Sequence, residues 1–345
     1  MYFSFIYLST VTTSSSKLFQ MPIALLKFPN DFLREVFRLC DPFDLYKLSK
    51  CSKTCSQKAT MLRDTKKWKI GFSALNNAAI WVDGSIYYFN QTDNPEDYFK
   101  TKNSGMNSTH MDVEFPIVDL FIYLVDTFGI RIVRIMGIGS DNFHNVLKVA
   151  QVLIDRRMEI ESFRIFDVRK EQDVVNFMPL MKQMNIIQEF KCFLKFPPNF
   201  HFEFVKYPRH IYIDYSSWFT IDQLLDCTSA WIDLEKSSLN NHDLDVFLQK
   251  WKKKGTFPNL RWLEIGSEKI DDQSPILEMI PPIKNVTNPR KKVSINGGGY
   301  IIDGVRATKD DGTEGWLKVE LGGWPILKFL VADPADTVMK EEDDW

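Results

Sequence analysis

Phe28-Pro29-Asn30-Asp31-Phe32-Leu33-Arg34-Glu35-Val36-Phe37-Arg38-Leu39-Cys40-Asp41-Pro42-Phe43-Asp44-Leu45-Tyr46-Lys47-Leu48-Ser49-Lys50-Cys51 reads as helix, turn, helix. Asn30 or Asp31, just after Pro29, can cap a first helix. Its apolar residues Phe32, Val36 and Cys40, with Leu33 and Phe37, recur at helical spacing. Asp41 then sits where an N-cap is wanted, Pro42 at the first helical position and Asp44 in the first turn. These start a second helix with Leu45 and Leu48 as its apolar stripe. Ser52 can cap a third helix carrying Cys55, Ala59 and Leu62. Three helices in about 40 residues bury too little to hold a core alone. The surplus apolar surface implies either a partner chain or a larger core of which this segment is one corner.

Outward from that stretch, the 345 residues leave room for one small domain and one large one. At 44% hydrophobic and 26% charged the chain is globular, and a net charge of −2 gives no general attraction for nucleic acid or an anionic membrane. No run of about 18 apolar residues marks a spanning helix. Met1 to Val11 is apolar but lacks the positive start and cleavage site of a signal peptide, so residues 1–20 are expected to be a disordered extension, with Met21 a second candidate start. Residues 22–68 are the helical module. Residues 69–129 are a connecting region. In it Ala79 to Val82 and Ser85 to Phe89 flank Asp83-Gly84 as a hairpin, and Asn90 to Thr109 reads as a long polar surface loop.

From Ile130 a unit recurs: Ile130-x-x-Val133-x-Ile135, Ile160-x-x-Phe163-x-Ile165 and Ile187-x-x-Phe190-x-Cys192. Ile211-x-Ile213 and Ile232-x-Leu234 are weaker, and Leu260-x-x-Leu263-x-Ile265 is clear again. Helical stripes separate most copies: Val146, Val149, Ala150, Leu153 and Ile154; Val174, Met178 and Met181; Leu244, Phe247, Leu248 and Trp251. Thr220-x-x-Gln223 is a capping box ahead of Leu224. The predicted class is α/β. Residues 130–275 form an irregular, leucine-rich-repeat-like strand–helix solenoid, with an ordinary α/β domain as the other reading. Residues 285–332 change character to hairpin strands with Asp-Gly turns that could cap the open end of the array, and 333–345 form an acidic tail.

The residues also resemble a family. Phe28-Pro29, the Leu33/Val36/Phe37/Leu39 series, Asp44-Leu45 and Leu48 to Cys51 resemble an F-box, with Phe-Pro standing where the family has Leu-Pro. Thr54, Cys55 and Ser56 stand where many F-boxes carry an aromatic residue. Trp231-Ile232-Asp233-Leu234-Glu235-Lys236-Ser237-Ser238-Leu239, then Asp243-Leu244-Asp245-Val246-Phe247-Leu248-x-x-Trp251, then Asn259 to Ile265 are similar to the core of a type 2 F-box-associated region. The resemblance implies a non-catalytic, intracellular protein of cytoplasm or nucleus. A Skp-type adaptor of a cullin–RING ubiquitin ligase would bind through Pro29, Leu33, Val36, Phe37, Leu39, Leu45 and Leu48. A protein substrate would bind the C-terminal region. The competing reading is a leucine-rich interaction scaffold that assembles no ligase.

Signs of other chemistry are weak. His110, His144, His201, His210 and His242 sit in no metal or catalytic pattern, and the five cysteines are scattered through apolar patterns, as buried thiols in a reducing compartment would be. Neither a metal site nor a cofactor is expected. Gly297-Gly298-Gly299 lacks the Lys-Ser/Thr of a phosphate loop and reads as a turn. The lysines at 250–254 and Arg290 to Lys292 read as solvated charge rather than a nucleic-acid site. In each repeated unit the residue between the last two apolar positions should face outward. These are Arg134, Arg164, Lys191, Tyr212, Asp233 and Glu264, a candidate substrate face running from basic to acidic.

Overall fold

A computed structural model describes residues 25–341, apart from 74–78, 83, 99, 106–107, 114–115, 140–142, 167, 169, 287–290 and 297. The expected extension at 1–20, Met21, the turn residue Asp83, Gly297 and residues 342–345 of the tail lie outside the described residues. The fold is mixed α/β, with helices at the N-terminus and a strand-rich C-terminal region. The described residues divide into two compact units, 25–72 with 79–134, and Ser73 with 135–341.

The first unit opens with α1 (Asn30–Leu39), α2 (Pro42–Cys51) and α3 (Lys53–Arg63). Asp41 caps α2, its carboxylate accepting from the Phe43 and Asp44 amides at 2.7 and 2.8 Å, and Ser52 Oγ accepts from the Cys55 amide at 3.0 Å to cap α3. The cap expected at Asn30 or Asp31 is absent: Asn30 is already helical, and the N-cap position holds Pro29, which has no side-chain acceptor. Next come β1 (Lys69–Ser73), β2 (Ala79–Val82), β3 (Ser85–Gln91), β4 (Thr101–Gly105), β5 (Ser108–Val113) and α4 (Ile117–Phe128). The β2–β3 hairpin forms as read, with Gly84 at φ +89°. The polar loop does not: within 90–109 lies β4, antiparallel to β5, and β5 runs parallel to β3.

These later elements supply what three helices lack. Phe43 packs on Tyr87 and Phe89 with ring centroids 4.1 and 5.0 Å away, and Tyr46 meets Tyr123 of α4 edge-on at 5.3 Å. Thr60 and Thr65 donate their hydroxyls to the carbonyls of Thr127 and Phe128 at 2.9 and 2.8 Å. The helical segment is therefore one corner of a larger core. The spacing Ile117, Val118, Leu120, Phe121, Leu124, Val125, Phe128, closed by Gly129 at φ +64°, is the helix signal that the reading of 69–129 as strands and loop passed over.

The unit boundary falls inside β6 (Ile132–Ile138), after Arg134. The second unit continues with α5 (Phe143–Asp155), β7 (Glu159–Ile165), α6 (Glu171–Met181), β8 (Asn185–Cys192), β9 (His210–Ile213), α7 (Ile221–Asp226), β10 (Trp231–Leu234), α8 (Asn241–Lys252) and β11 (Trp262–Gly266). From β7 to β11 each strand pairs in parallel with the next. The register sets Phe163, Phe190, Ile211, Ile232 and Leu263 side by side, all buried, so the recurring middle positions form one row. The capping box at Thr220 and Gln223 forms, and a second joins Asn240 to Asp243.

Further strands, with β17 from the segment read as tail, complete the unit: β12 (Lys291–Ile295), β13 (Tyr300–Ile302), β14 (Val305–Thr308), β15 (Glu314–Glu320), β16 (Ile326–Val331) and β17 (Thr337–Glu341). β16 pairs antiparallel with β11, β15 with β16 and β14 with β15, so hairpins extend the sheet beyond its last parallel strand. β13, β12 and β17 form a separate three-stranded sheet. Its Val293, Ile295 and Ile301 pack on Trp262, Trp316 and Leu330, with Trp231 at the margin. Arg261 ties this layer down through Asp333 and Asp336, at 3.0 and 3.1 Å.

Candidate functional site

Two surfaces stand out, one in each unit. On α1 the apolar spacing gives two stripes rather than one. Leu33 and Phe37 are fully buried, as is Leu45 of α2, and Leu48 is nearly so. These four, expected on the adaptor face, are buried within the protein rather than presented to a partner. The opposite stripe of α1 faces out. Leu39 is 89% exposed, Phe32 50%, Val36 is half-buried and Pro29 is exposed. Phe28, also exposed, lays its ring against Phe32 at 4.7 Å. Large apolar side chains left in water at i, i+4 and i+7 on one helix form one continuous apolar stripe rather than scattered surface. Phe28 and Phe32 were absent from the expected set, although Phe32 opens the same helical series as Val36.

In the second unit the register places Arg164, Lys191, Tyr212, Asp233 and Glu264 in one lateral row, each half-buried between buried neighbours on its strand. Arg134 belongs to the first unit. The row does not run simply from basic to acidic. Glu189, one step away on the same face, binds both Arg164 at 3.0 Å and Lys191 at 2.7 Å. Burial opposes the charge on Glu189, but Lys191, the Ser162 hydroxyl and Arg164 outweigh it and hold its carboxyl below the usual range. At the other end Glu264 is followed in register by Lys328 and then Lys318, so positive charge returns.

The acidic middle of the row forms the floor of a pocket of about 400 Å³. Asp233 and Glu264 are lateral neighbours there, and Glu235, just past the end of β10, joins them. Trp231 and Trp262, two residues before Asp233 and Glu264, stand on the same face and stack with centroids 5.6 Å apart. The Trp262 indole donates to Asp233 Oδ1 at 3.0 Å. Above them passes the turn between β12 and β13. Gly298 and Gly299 lie so close to the two indoles that a Cβ on Gly299 would stand 2.6 Å from the Trp262 ring. Tyr300, the first residue of β13, completes the rim.

Burial, then the Glu264 charge, pushes the Asp233 carboxyl up to about 7. Burial likewise raises Glu264, against the pull of the Lys328 ammonium 3.7 Å away. Sequence reading found Asp233 and Glu264 but missed the indoles, Glu235 and Lys328. The period-2 neighbours of the outward positions carried part of that signal; the position of the covering turn had none.

Among the described residues no group of three or more His, Cys, Asp or Glu side chains is placed to hold a metal ion, and no helix is long and apolar enough to cross a membrane. No curated protein and no solved structure matches the chain. Two family models do, each covering part of it: one described as F-box domain over residues 25–67, the other as F-box associated over residues 196–265. The first spans α1 to α3 with the exposed stripe, and the second runs from Phe196 through β11, including Asp233 and Glu264. The chain thus carries an F-box domain in its first unit and a type 2 F-box-associated region in its second.

Proposed function

We propose that this protein is the non-catalytic substrate-recognition subunit of a Skp–cullin–F-box ubiquitin ligase and acts inside the cell. The F-box segment docks a Skp-type adaptor, and the parallel strand–helix array, taken as a leucine-rich-like solenoid, presents Arg164, Lys191, Tyr212, Asp233 and Glu264 to a protein substrate. The protein itself then transfers nothing. It raises the concentration of substrate lysines near the ligase's transfer machinery. The observation that carries this reading is the exposed stripe Phe28, Phe32, Val36 and Leu39 within the F-box match. It offers an adaptor an apolar surface without requiring the first unit to open.

Coexpression with a Skp-type adaptor followed by size exclusion tests it. A one-to-one complex is expected for the full chain, and its loss is expected for the double variant Phe32→Asp, Leu39→Asp with the fold intact. A folded chain that never co-elutes with the adaptor would leave the protein an interaction scaffold outside any ligase.

A further inference from the structure

The pocket over β10 and β11 has a chemistry of its own. Its floor holds three carboxylates, Asp233, Glu235 and Glu264, against one ammonium, Lys328. Its walls are aromatic: Tyr212 from β9, the Trp231–Trp262 pair, and Tyr300 from the start of β13. An acidic cluster on open surface would be solvated. Here the acids are half-buried beneath a turn that bare glycines bring down onto the indoles. Excess negative charge in a partly dehydrated, aromatic-walled cleft favours a cation.

We propose that this pocket binds the guanidinium of an arginine on a protein partner. Arginine suits it better than lysine for three reasons. Its planar fork can donate to carboxylates on two adjacent strands, as Asp233 and Glu264 are placed. Its faces can lie against tyrosine and tryptophan rings, and it surrenders less hydration than an ammonium on entering a half-closed cleft. The partner's role as substrate rests on the ligase function proposed for the chain. The pocket's preference for arginine stands on its own geometry.

Proton linkage supplies an independent signature. The charged groups facing Asp233 are Glu235 just past the end of its strand, Glu264 on β11 and Lys328 on β16. Tyr212 stands on the β9 side, with the Asp214–Lys236 pair beyond it at 2.8 Å. With its carboxyl near 7 in the empty pocket, Asp233 releases its proton to solvent as a cation binds beside it. Affinity should therefore rise by about tenfold from pH 6 to pH 8.

The test uses the full chain and N-acetyl-arginine N-methylamide, titrated while the Trp262 indole N–H, which donates to Asp233, is followed by NMR and assigned with Trp262→Phe. A saturable shift is expected with the arginine probe, several-fold weaker binding with the lysine analogue, and none with the uncharged, isosteric citrulline analogue. Glu264→Gln should weaken binding about tenfold. Asp233→Asn, which keeps an acceptor for the indole, should weaken it and abolish the pH dependence. Both variants are checked for a retained cooperative melting transition. Citrulline binding as well as arginine, lysine binding as tightly, or affinity indifferent to pH and to Glu264→Gln would overturn the proposal. No adaptor enters this titration. An intact arginine response without adaptor co-elution would defeat the ligase reading alone, and the reverse result would defeat the pocket alone.

Discussion

Asp233 is half-buried and faces two other carboxylates, which favours its protonated form against the opposing pull of the indole N–H it accepts from Trp262. In the unfolded chain an aspartate titrates near 3.9, whereas in the folded protein this one titrates at about 7. Between those values the folded state holds the extra proton, so the stability of the fold falls as pH rises from about 4 to about 7 and levels off above. Asp233→Asn removes the titration and keeps the shape. The variant is expected to match the native protein near pH 4 and to exceed it by roughly 1–3 kcal/mol at pH 8, screening by nearby solvent reducing the full linkage value. Melting curves of both proteins at the two pH values decide it. A gain of equal size at both would mean that burial and Glu264 do not govern this carboxyl.

At the scale of elements, α1 carries a buried stripe and an exposed one, and the proposed adaptor docking rests on the exposed stripe alone. Phe32 and Leu39 are half or more exposed, so acidic replacements there are expected to cost no more than about 0.5–1 kcal/mol while removing the adaptor. Leu33→Asp places a carboxylate in a fully buried site and is expected to cost at least about 3 kcal/mol, lowering the denaturation midpoint whether or not an adaptor is present. A Phe32→Asp variant as unstable as Leu33→Asp would contradict the two-stripe assignment. The covering turn makes a comparable claim. Gly299→Ala drives a Cβ into the Trp262 ring, and about 1–3 kcal/mol should be lost as the turn lifts from the indoles. Gly312→Ala, at φ +87° with nothing within 4 Å, separates backbone strain from steric clash. Chemical denaturation of the two variants compares them.

Legibility followed the range of the signal. Asp41-Pro42, Ser52 and Thr220-x-x-Gln223 were readable because a cap is decided within four residues. The outward row was readable because register carries a repeated spacing across strands. β5, with Ser108, Thr109, His110 and Asp112 among its six residues, was not, because its place is set by pairing with β3 and β4 rather than by an apolar alternation. Nor could any local pattern say that the Gly298-Gly299 turn would lie over Trp231 and Trp262. That contact joins segments some 35 to 70 residues apart and depends on two sheets folding together.

For the whole molecule, the division into units departs from the sequence's own punctuation. Composition separates a helical module at residues 22–68 from the connecting region at 69–129, yet the compact unit continues to Arg134. The reason lies in which groups need partners. Phe43 and Tyr46 of α2 find their rings in β3 and α4, and the hydroxyls of Thr60 and Thr65 find their acceptors at the end of α4. Cutting the chain after residue 68 strands these side chains and exposes Phe43 and Tyr46, each buried in the intact protein. At about 0.8 kcal/mol per methylene returned to water, that exposure exceeds the margin of a segment this small. A fragment of residues 25–68 is therefore expected to be largely unfolded, with amides exchanging at free-peptide rates. Residues 25–134 should show a cooperative melt and protected amides in α2 and α4. A 25–68 fragment that melts cooperatively alone would mean that the helices hold their own core. The contacts of Phe43 and Tyr46 with β3 and α4 would then add to a core the helices already have rather than complete it.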